Sequence, residues 1–211
     1  TAGGQAILAA LEAWAYTCPT GLDGFRVDSP LASSASELAE ARGCAAFHAT
    51  IDYLRGLLWN DEVEAYGLSR SPNLQLLVFS LAQPDALAAG DIYWDDVRTD
   101  ATETKAQLVA AAMNAAAARL QTLLGADPAE WVWGRVHTVS PAADLFSMIG
   151  VTDYDGPRYA NDGGLFTVDV ANPRMGGNYD HRAGASTRFV CEAPASGVRC
   201  TFQLPGGQVD D

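Results

Sequence analysis

Nowhere does this chain approach the roughly 18 consecutive apolar residues that a membrane-spanning helix needs. Its start has neither the basic nor the apolar stretch of a secretory leader, which leaves a mature or excised chain open. Positive charge is scarce: 13 Lys and Arg face 26 Asp and Glu, a formal net charge of −13. Such a surface repels phosphate backbones and anionic headgroups, so neither nucleic acid nor a membrane is an expected partner. Cysteine is limited to Cys18, Cys44, Cys191 and Cys200 with no Cys-x-x-Cys pair, which argues against zinc ligation and thioredoxin-like redox chemistry. No internal repeat is visible, nor any low-complexity tract beyond one alanine-rich helix.

What is present is globular: 211 residues, 48% apolar and 18% charged, enough for one domain or a large piece of one. The pattern changes once, near residue 126. Residues 1–126 read as mainly helical, and residues 127–211 as a Gly-rich stretch of short antiparallel strands in the same domain, so the fold class is α+β.

In the first part, Ile7, Leu8, Leu11 and Trp14 share one helical face, and Pro19, Gly21 and Gly24 break the pattern. Ser34 with Glu37 is a capping-box signature, and Leu38, Ala41, Phe47, Ile51, Leu54 and Leu58 continue an apolar stripe that kinks or breaks around Gly43. The dense apolar run Leu74 to Leu81 has no clear period, and its helical neighbourhood favours helix. Asp100 with Glu103 reads as the cap of an Ala/Leu-rich helix whose Leu108, Ala112, Leu120 and Leu124 face one way, with Gly125 as the stop. Asp95, Asp96, Asp153 and Asp155 read as solvated loop acids.

In the second part, Asp127, Pro128 and Glu130 read as cap, first-turn proline and first-turn acid. Two indoles one residue apart, Trp131 and Trp133, face opposite ways if the segment is extended. The even cysteine count favours disulfides over four buried thiols, which puts the protein outside the reducing cytosol, in the periplasm or secreted. Cys191 and Cys200 lie on two short apolar runs separated by Pro194, Ser196 and Gly197, a hairpin whose facing positions bring their sulfurs together.

Four motifs in order carry more information: Trp131-Val132-Trp133-Gly134 with His137, Gly164 to Val170, Gly184-Ala185-Ser186-Thr187-Arg188, and Leu204-Pro205-Gly206-Gly207-Gln208. At these intervals the chain resembles the carboxy-terminal part of the large subunit of the penicillin acylase family, which are N-terminal-nucleophile hydrolases. The resemblance implies a fragment of a sandwich of two antiparallel sheets between helical layers, completed by segments outside this chain. It implies part of an extracytoplasmic amidohydrolase that cleaves an acyl group from an amine, on penicillin-like, acyl-homoserine lactone or lipopeptide substrates. Its partners are then the other chains of the same processed precursor and a small acylated amine.

In such enzymes a terminal Ser, Cys or Thr is nucleophile and its own α-amine is base, because an α-amino pKa near 8 suits neutral pH. Thr1-Ala2-Gly3-Gly4-Gln5 is not the family's Ser-Asn start, so the nucleophile is expected on another polypeptide; Thr1 as a self-contained nucleophile is the minor alternative. The resemblance implies an oxyanion-site pair at Asp169 and Arg188. The family has Asn where Asp169 stands, and an ionised carboxylate can only accept hydrogen bonds. Asn172 is the substitute donor, a structural ion pair the competing reading, and a non-catalytic descendant of the fold the alternative function. Trp131, Trp133 and His137 are implied as substrate-pocket residues, against a reading as core plugs and, for His137, as hydrogen-bonded scaffold. No cofactor is required. A structural calcium, as in some members, has Asp180 as its nearest acidic candidate, far short of the 6 to 8 oxygens calcium takes.

Overall fold

A computed structural model of the chain describes residues 1–58, 74–82, 94–96, 98–139, 158–165, 171–173, 175, 177–184, 188–192 and 199–203. Helix α1 (Ala2–Glu12) starts where the Thr1 hydroxyl accepts from the Gly4 amide at 3.1 Å, satisfying one of the free donors of the first turn. Its inward line is Gly4 and Ile7 with Ala10 and Leu11 half-buried; Leu8 is 36% exposed and stands off the predicted face. The chain then turns back, held by Glu40, whose carboxylate accepts from the amides of Ala15 and Thr17 and from the Thr17 hydroxyl.

Helix α2 (Ala35–Leu57) begins at Ser34, whose hydroxyl accepts from the Glu37 amide at 3.3 Å. It runs unbroken through Gly43, where a kink was expected. The reason for this glycine is packing: a Cβ there would lie 2.3 Å from the Trp14 Cβ and 2.4 Å from its Cγ. Trp14 lies beyond the end of α1 and seats its indole over α2, beside Phe47.

Helix α3 (Leu74–Ala82) resolves the unperiodic run in favour of helix. Helix α4 (Lys105–Leu124) is capped by Thr104 and Gln107, which exchange side-chain and backbone bonds reciprocally, rather than by Asp100 and Glu103. Glu103 is otherwise engaged, accepting from the Thr99 hydroxyl and the Asp96 amide. Gly125, at φ +95°, ends the helix as expected. Asp96 is buried rather than solvated; the Arg98 guanidinium, 2.6 Å away, holds its carboxyl below the usual carboxylate range. Asp153 and Asp155 lie outside the described residues.

α1, α2 and α4 pack against one another. Small side chains make this possible: Ala41, Ala45, Ala46 and Ala49 on α2 meet Ala116 and Ala117 on α4 in a core closed by Ile7, Leu120, Trp131 and Trp133. A second cluster, Ile51, Leu54, Leu58, Leu77, Trp94, Leu108 and Ala112, fills the other end of α2 and α4.

After residue 126 come a 3-10 turn (Pro128–Glu130), a single-turn helix α5 (Trp133–Val136) and short strands. Among the described residues these make three two-stranded antiparallel sheets: β1 (Thr138–Val139) with β2 (Tyr159–Ala160), β3 (Ala171–Pro173) with β4 (His181–Gly184), and β5 (Arg188–Glu192) with β6 (Arg199–Gln203). Helices followed by antiparallel strands are the α+β class the sequence indicated. In the β5–β6 pair Cys191 stands opposite Cys200, the register that the hairpin reading required.

Alanine is favoured over glycine inside a helix by about 1 kcal/mol, yet at position 43 its methyl group would fall inside Trp14. Gly43→Ala is therefore expected to destabilise the protein by about 1–3 kcal/mol in urea unfolding. A variant more stable than the parent would mean that Trp14 does not sit on α2.

Candidate functional site

The segment that carries the tryptophan motif is built from its caps. The Asp127 carboxylate accepts from the Ala129 amide at 2.9 Å, Pro128 opens the 3-10 turn, and α5 follows directly. Trp131 ends the 3-10 turn, Val132 is extended and Trp133 opens α5, so the two indoles leave the ends of two short helical turns joined by one extended residue. Trp131 donates from Nε1 to the Gly125 carbonyl at 2.9 Å, Trp133 to the Gly163 carbonyl at 2.6 Å. Between them and His137, Gly134 donates its amide to the Thr20 carbonyl at 2.8 Å. A Cβ on Gly134 would lie 2.8 Å from that same oxygen, so only glycine lets the two backbones meet.

Trp133 is fully buried and sandwiched. The His48 ring, from α2, stacks on it with centroids 4.3 Å apart, and the His137 ring stacks at 4.6 Å. The hydrogen bonds assign the tautomers. At His48 the Leu165 amide donates to Nε2 at 3.0 Å, so Nδ1 carries the proton and donates to the Cys44 carbonyl at 2.9 Å. At His137 the Asn161 side-chain amide donates to Nε2 at 3.2 Å and Nδ1 donates to the Tyr179 carbonyl at 2.7 Å. Both imidazoles therefore use both nitrogens as neutral rings. Complete burial drives His48 down to about 4; its bond to the Cys44 carbonyl pulls the other way, and His137 adds to the fall. Tyr179 packs near Trp133 and donates its hydroxyl to Asp52 at 3.3 Å; burial, then Asp52, raises its phenol above the ordinary range.

Beside His48 lies a disulfide between Cys18 and Cys44, with Cα atoms 5.3 Å apart. It ties the turn after α1 to the middle of α2. Cys18, Cys44 and His48 form a set of three side chains spaced like metal ligands. The sulfurs are bonded to each other and His48 Nδ1 is a donor, so this set offers a cation no thiolate and no free lone pair. What the arrangement can do is hold: it pins α2, α5 and the loops at residues 161–165 and 177–180 to one aromatic pillar.

Trp131 also forms one wall of a cavity of about 330 Å³ between α1, α2 and α4. Its lining is apolar except for Arg42, whose Nε and Nη2 both donate to the Ala129 carbonyl, at 3.0 and 2.9 Å.

The structure brings Trp133 and His137 into contact and sets Trp131 on the cavity. Asp169 lies outside the described residues, as do residues 204–211 of the last motif. Asn172 stands in β3 opposite Ala183, and Arg188 is the first residue of β5, opposite Gln203. Asp180 is half-buried just before β4, and among the described residues no set of three potential metal-ligating side chains includes it. His48 and Arg42 were not singled out from the sequence. His48 had one legible signal, its position four residues after Cys44 on a helical face; Arg42 had none beyond its charge.

The depressed His48 sets a pH window. The unfolded chain takes up its proton near 6.5 while the folded state resists until about 4, so stability present above 6.5 is lost as pH falls between these values. The loss is expected to reach about 2 kcal/mol between denaturant titrations at pH 7 and pH 4.5. In His48→Gln the part of the slope centred between these values should flatten; an unchanged slope would assign it to other groups.

Comparison with known proteins places these features. The family model for penicillin amidase matches residues 2–211. The chain is 30% identical over 139 residues to the acyl-homoserine lactone acylase QuiP of Pseudomonas syringae pv. tomato, covering 62% of this chain and 17% of that protein. It is 28% identical over 154 residues to the protein of the same name from Pseudomonas syringae pv. syringae, covering 67% and 19%. It is 33% identical over 95 residues to that of Pseudomonas aeruginosa, covering 44% and 10%. The chain thus spans under a fifth of the length of these relatives. No solved structure matches it significantly. A family match over nearly every residue is decisive: the chain belongs to the penicillin amidase family.

Proposed function

We propose that this chain is the scaffold portion of an extracytoplasmic acylase that hydrolyses the amide between an acyl group and an amine, with the attacking oxygen supplied by another segment of the polypeptide. The observation that carries it is the family match over residues 2–211. Three relatives named as acyl-homoserine lactone acylases support an acylated amine as substrate, in the same class as penicillins and lipopeptides. The Cys18–Cys44 disulfide supports an oxidising compartment. The closed hydrogen bonding of His48 and His137 supports a scaffold role for the tryptophan motif, since neither ring keeps a lone pair for proton transfer. The Thr1 hydroxyl, which donates to Asn114 Oδ1 at 2.6 Å and caps α1, fits the same role.

In this reading the helices and the short antiparallel pairs are one part of a two-sheet sandwich completed by the other chains of a processed precursor. Asp169 and Arg188 stand at the oxyanion site, with Asn172 as substitute donor and Trp131, Trp133 and His137 behind the substrate pocket. An amide donor at the oxyanion is worth about 3 kcal/mol of transition-state stabilisation, and a carboxylate there withholds it. That single position favours the second reading, a non-catalytic binding or structural descendant of the fold.

The test is to produce the chain together with the rest of its polypeptide and assay a panel of chromogenic acyl amides. Hydrolysis is expected, and Asp169→Asn is expected to raise kcat about tenfold to a hundredfold. An unchanged rate would move Asp169 into the scaffold. Absence of hydrolysis across the panel, in parent and variant alike, would leave the non-catalytic reading standing.

A further inference from the structure

The cavity beside Trp131 combines a largely apolar lining with one guanidinium. Its walls are mostly hydrocarbon: Ile7 and Ala10 on α1, Ala46 on α2, Leu120 on α4 and the Trp131 ring, whose one polar atom is already spent on the Gly125 carbonyl. Its volume of about 330 Å³ falls within the range of small-molecule pockets, roughly 300–1,000 Å³. The alanines matter, because larger side chains on the same faces would fill the space.

Set in this apolar wall is the Arg42 guanidinium. Two of its donors are fixed on the Ala129 carbonyl, which holds the planar group in place before anything binds. Arg26, Arg98 and Arg135 each have an acidic partner, in Asp28, Asp96 and Glu130, whereas Arg119 and Arg158 are held by neutral oxygens, the Gly177 carbonyl and the Thr138 hydroxyl. Arg42 has none among the described residues, although the chain carries 26 acids against 13 bases. A carbonyl oxygen satisfies hydrogen bonds but leaves the positive charge uncompensated, and the cavity lining contains no acid.

We infer that this cavity binds a medium-chain aliphatic carboxylate, its tail among Ile7, Ala46, Leu120 and Trp131 and its headgroup on Arg42. The chemistry is complementary at both ends. Tail burial supplies roughly 0.8 kcal/mol per methylene, and a carboxylate on a pre-placed guanidinium makes charge-assisted hydrogen bonds at the cavity rim. A neutral chain would leave the cation unmatched, and a short anion would leave the cavity unfilled. The inference does not rest on where the nucleophile lies or on whether this chain takes part in hydrolysis.

Calorimetric titration of the full chain with decanoate tests it, with decanol and acetate as partial mimics. Saturable one-site binding of decanoate is expected, at least about tenfold tighter than either mimic. Arg42→Gln should weaken decanoate about tenfold or more, while Arg42→Lys, which keeps the charge and loses the double anchor, should fall between. Ala10→Phe, which fills the cavity, should abolish binding with the far-ultraviolet circular dichroism unchanged; if this variant misfolds, the Arg42 pair still decides. The inference is overturned if decanoate does not saturate, if Arg42→Gln binds like the parent, or if acetate matches decanoate. It is also overturned if, in the complete polypeptide, a protein segment occupies the cavity and decanoate no longer binds.

Discussion

The interaction on which the rest of this structure depends is the stack of His48, Trp133 and His137. Three rings from α2, α5 and the residue after α5 meet with no access for water, so every nitrogen in them must find a protein partner or the burial becomes unfavourable. The five partners come from three places: the Cys44 carbonyl inside α2, the Asn161 side chain, Gly163 carbonyl and Leu165 amide of one loop, and the Tyr179 carbonyl of another. Satisfying the rings therefore fixes the positions of loops that have little regular structure of their own. The disulfide from Cys18 to Cys44 and the Gly134 amide on Thr20 fasten the turn after α1 to the same pillar.

Around this pillar the helices meet through alanine. Close approach of α1, α2 and α4 gives a well-packed core near Ala41, Ala45 and Ala116, but the same small side chains leave a void where α1 passes Ala46 and Trp131. The chain thus holds both a region where small residues bring backbones together and one where they leave room. The second of these is where Arg42 stands with no acidic partner among the described residues, in a protein whose charge is strongly negative.

Membership of the penicillin amidase family gives the tryptophan motif a physical meaning. In Trp-Gly-Arg-Val-His, the glycine lets one backbone reach another, the arginine pairs with Glu130 at 2.8 Å, and the tryptophan and histidine are two layers of one stack. Four of the five residues are each bonded to a different part of the molecule, and Val136 is buried in the core. A motif of this kind can mark a family of hydrolases without any of its side chains meeting the reacting bond.

Much of the helical part was legible in the order of residues. The Ser34 cap, the stripe along α2, the alanine-rich α4 and its Gly125 stop depend on neighbours three or four positions away, and such local preferences are written in the chain. The hairpin register of Cys191 and Cys200 was legible for the same reason. One error was local, the cap of α4 falling at Thr104 and Gln107 instead of Asp100 and Glu103, and two fell where a distant contact overrode a local signal. Gly43 read as a kink because the sequence cannot reveal Trp14 lying over it, and Asp96 read as solvated because its burial is decided by how the chain around Arg98 folds back. What the sequence alone determined was the helix-then-strand order, the acidic surface and the family. Only the tertiary structure decided that His48 joins Trp133 and His137, that Cys18 pairs with Cys44, and that Arg42 borders a cavity. These depend on contacts between residues far apart in the chain, and no local spacing encodes such distances.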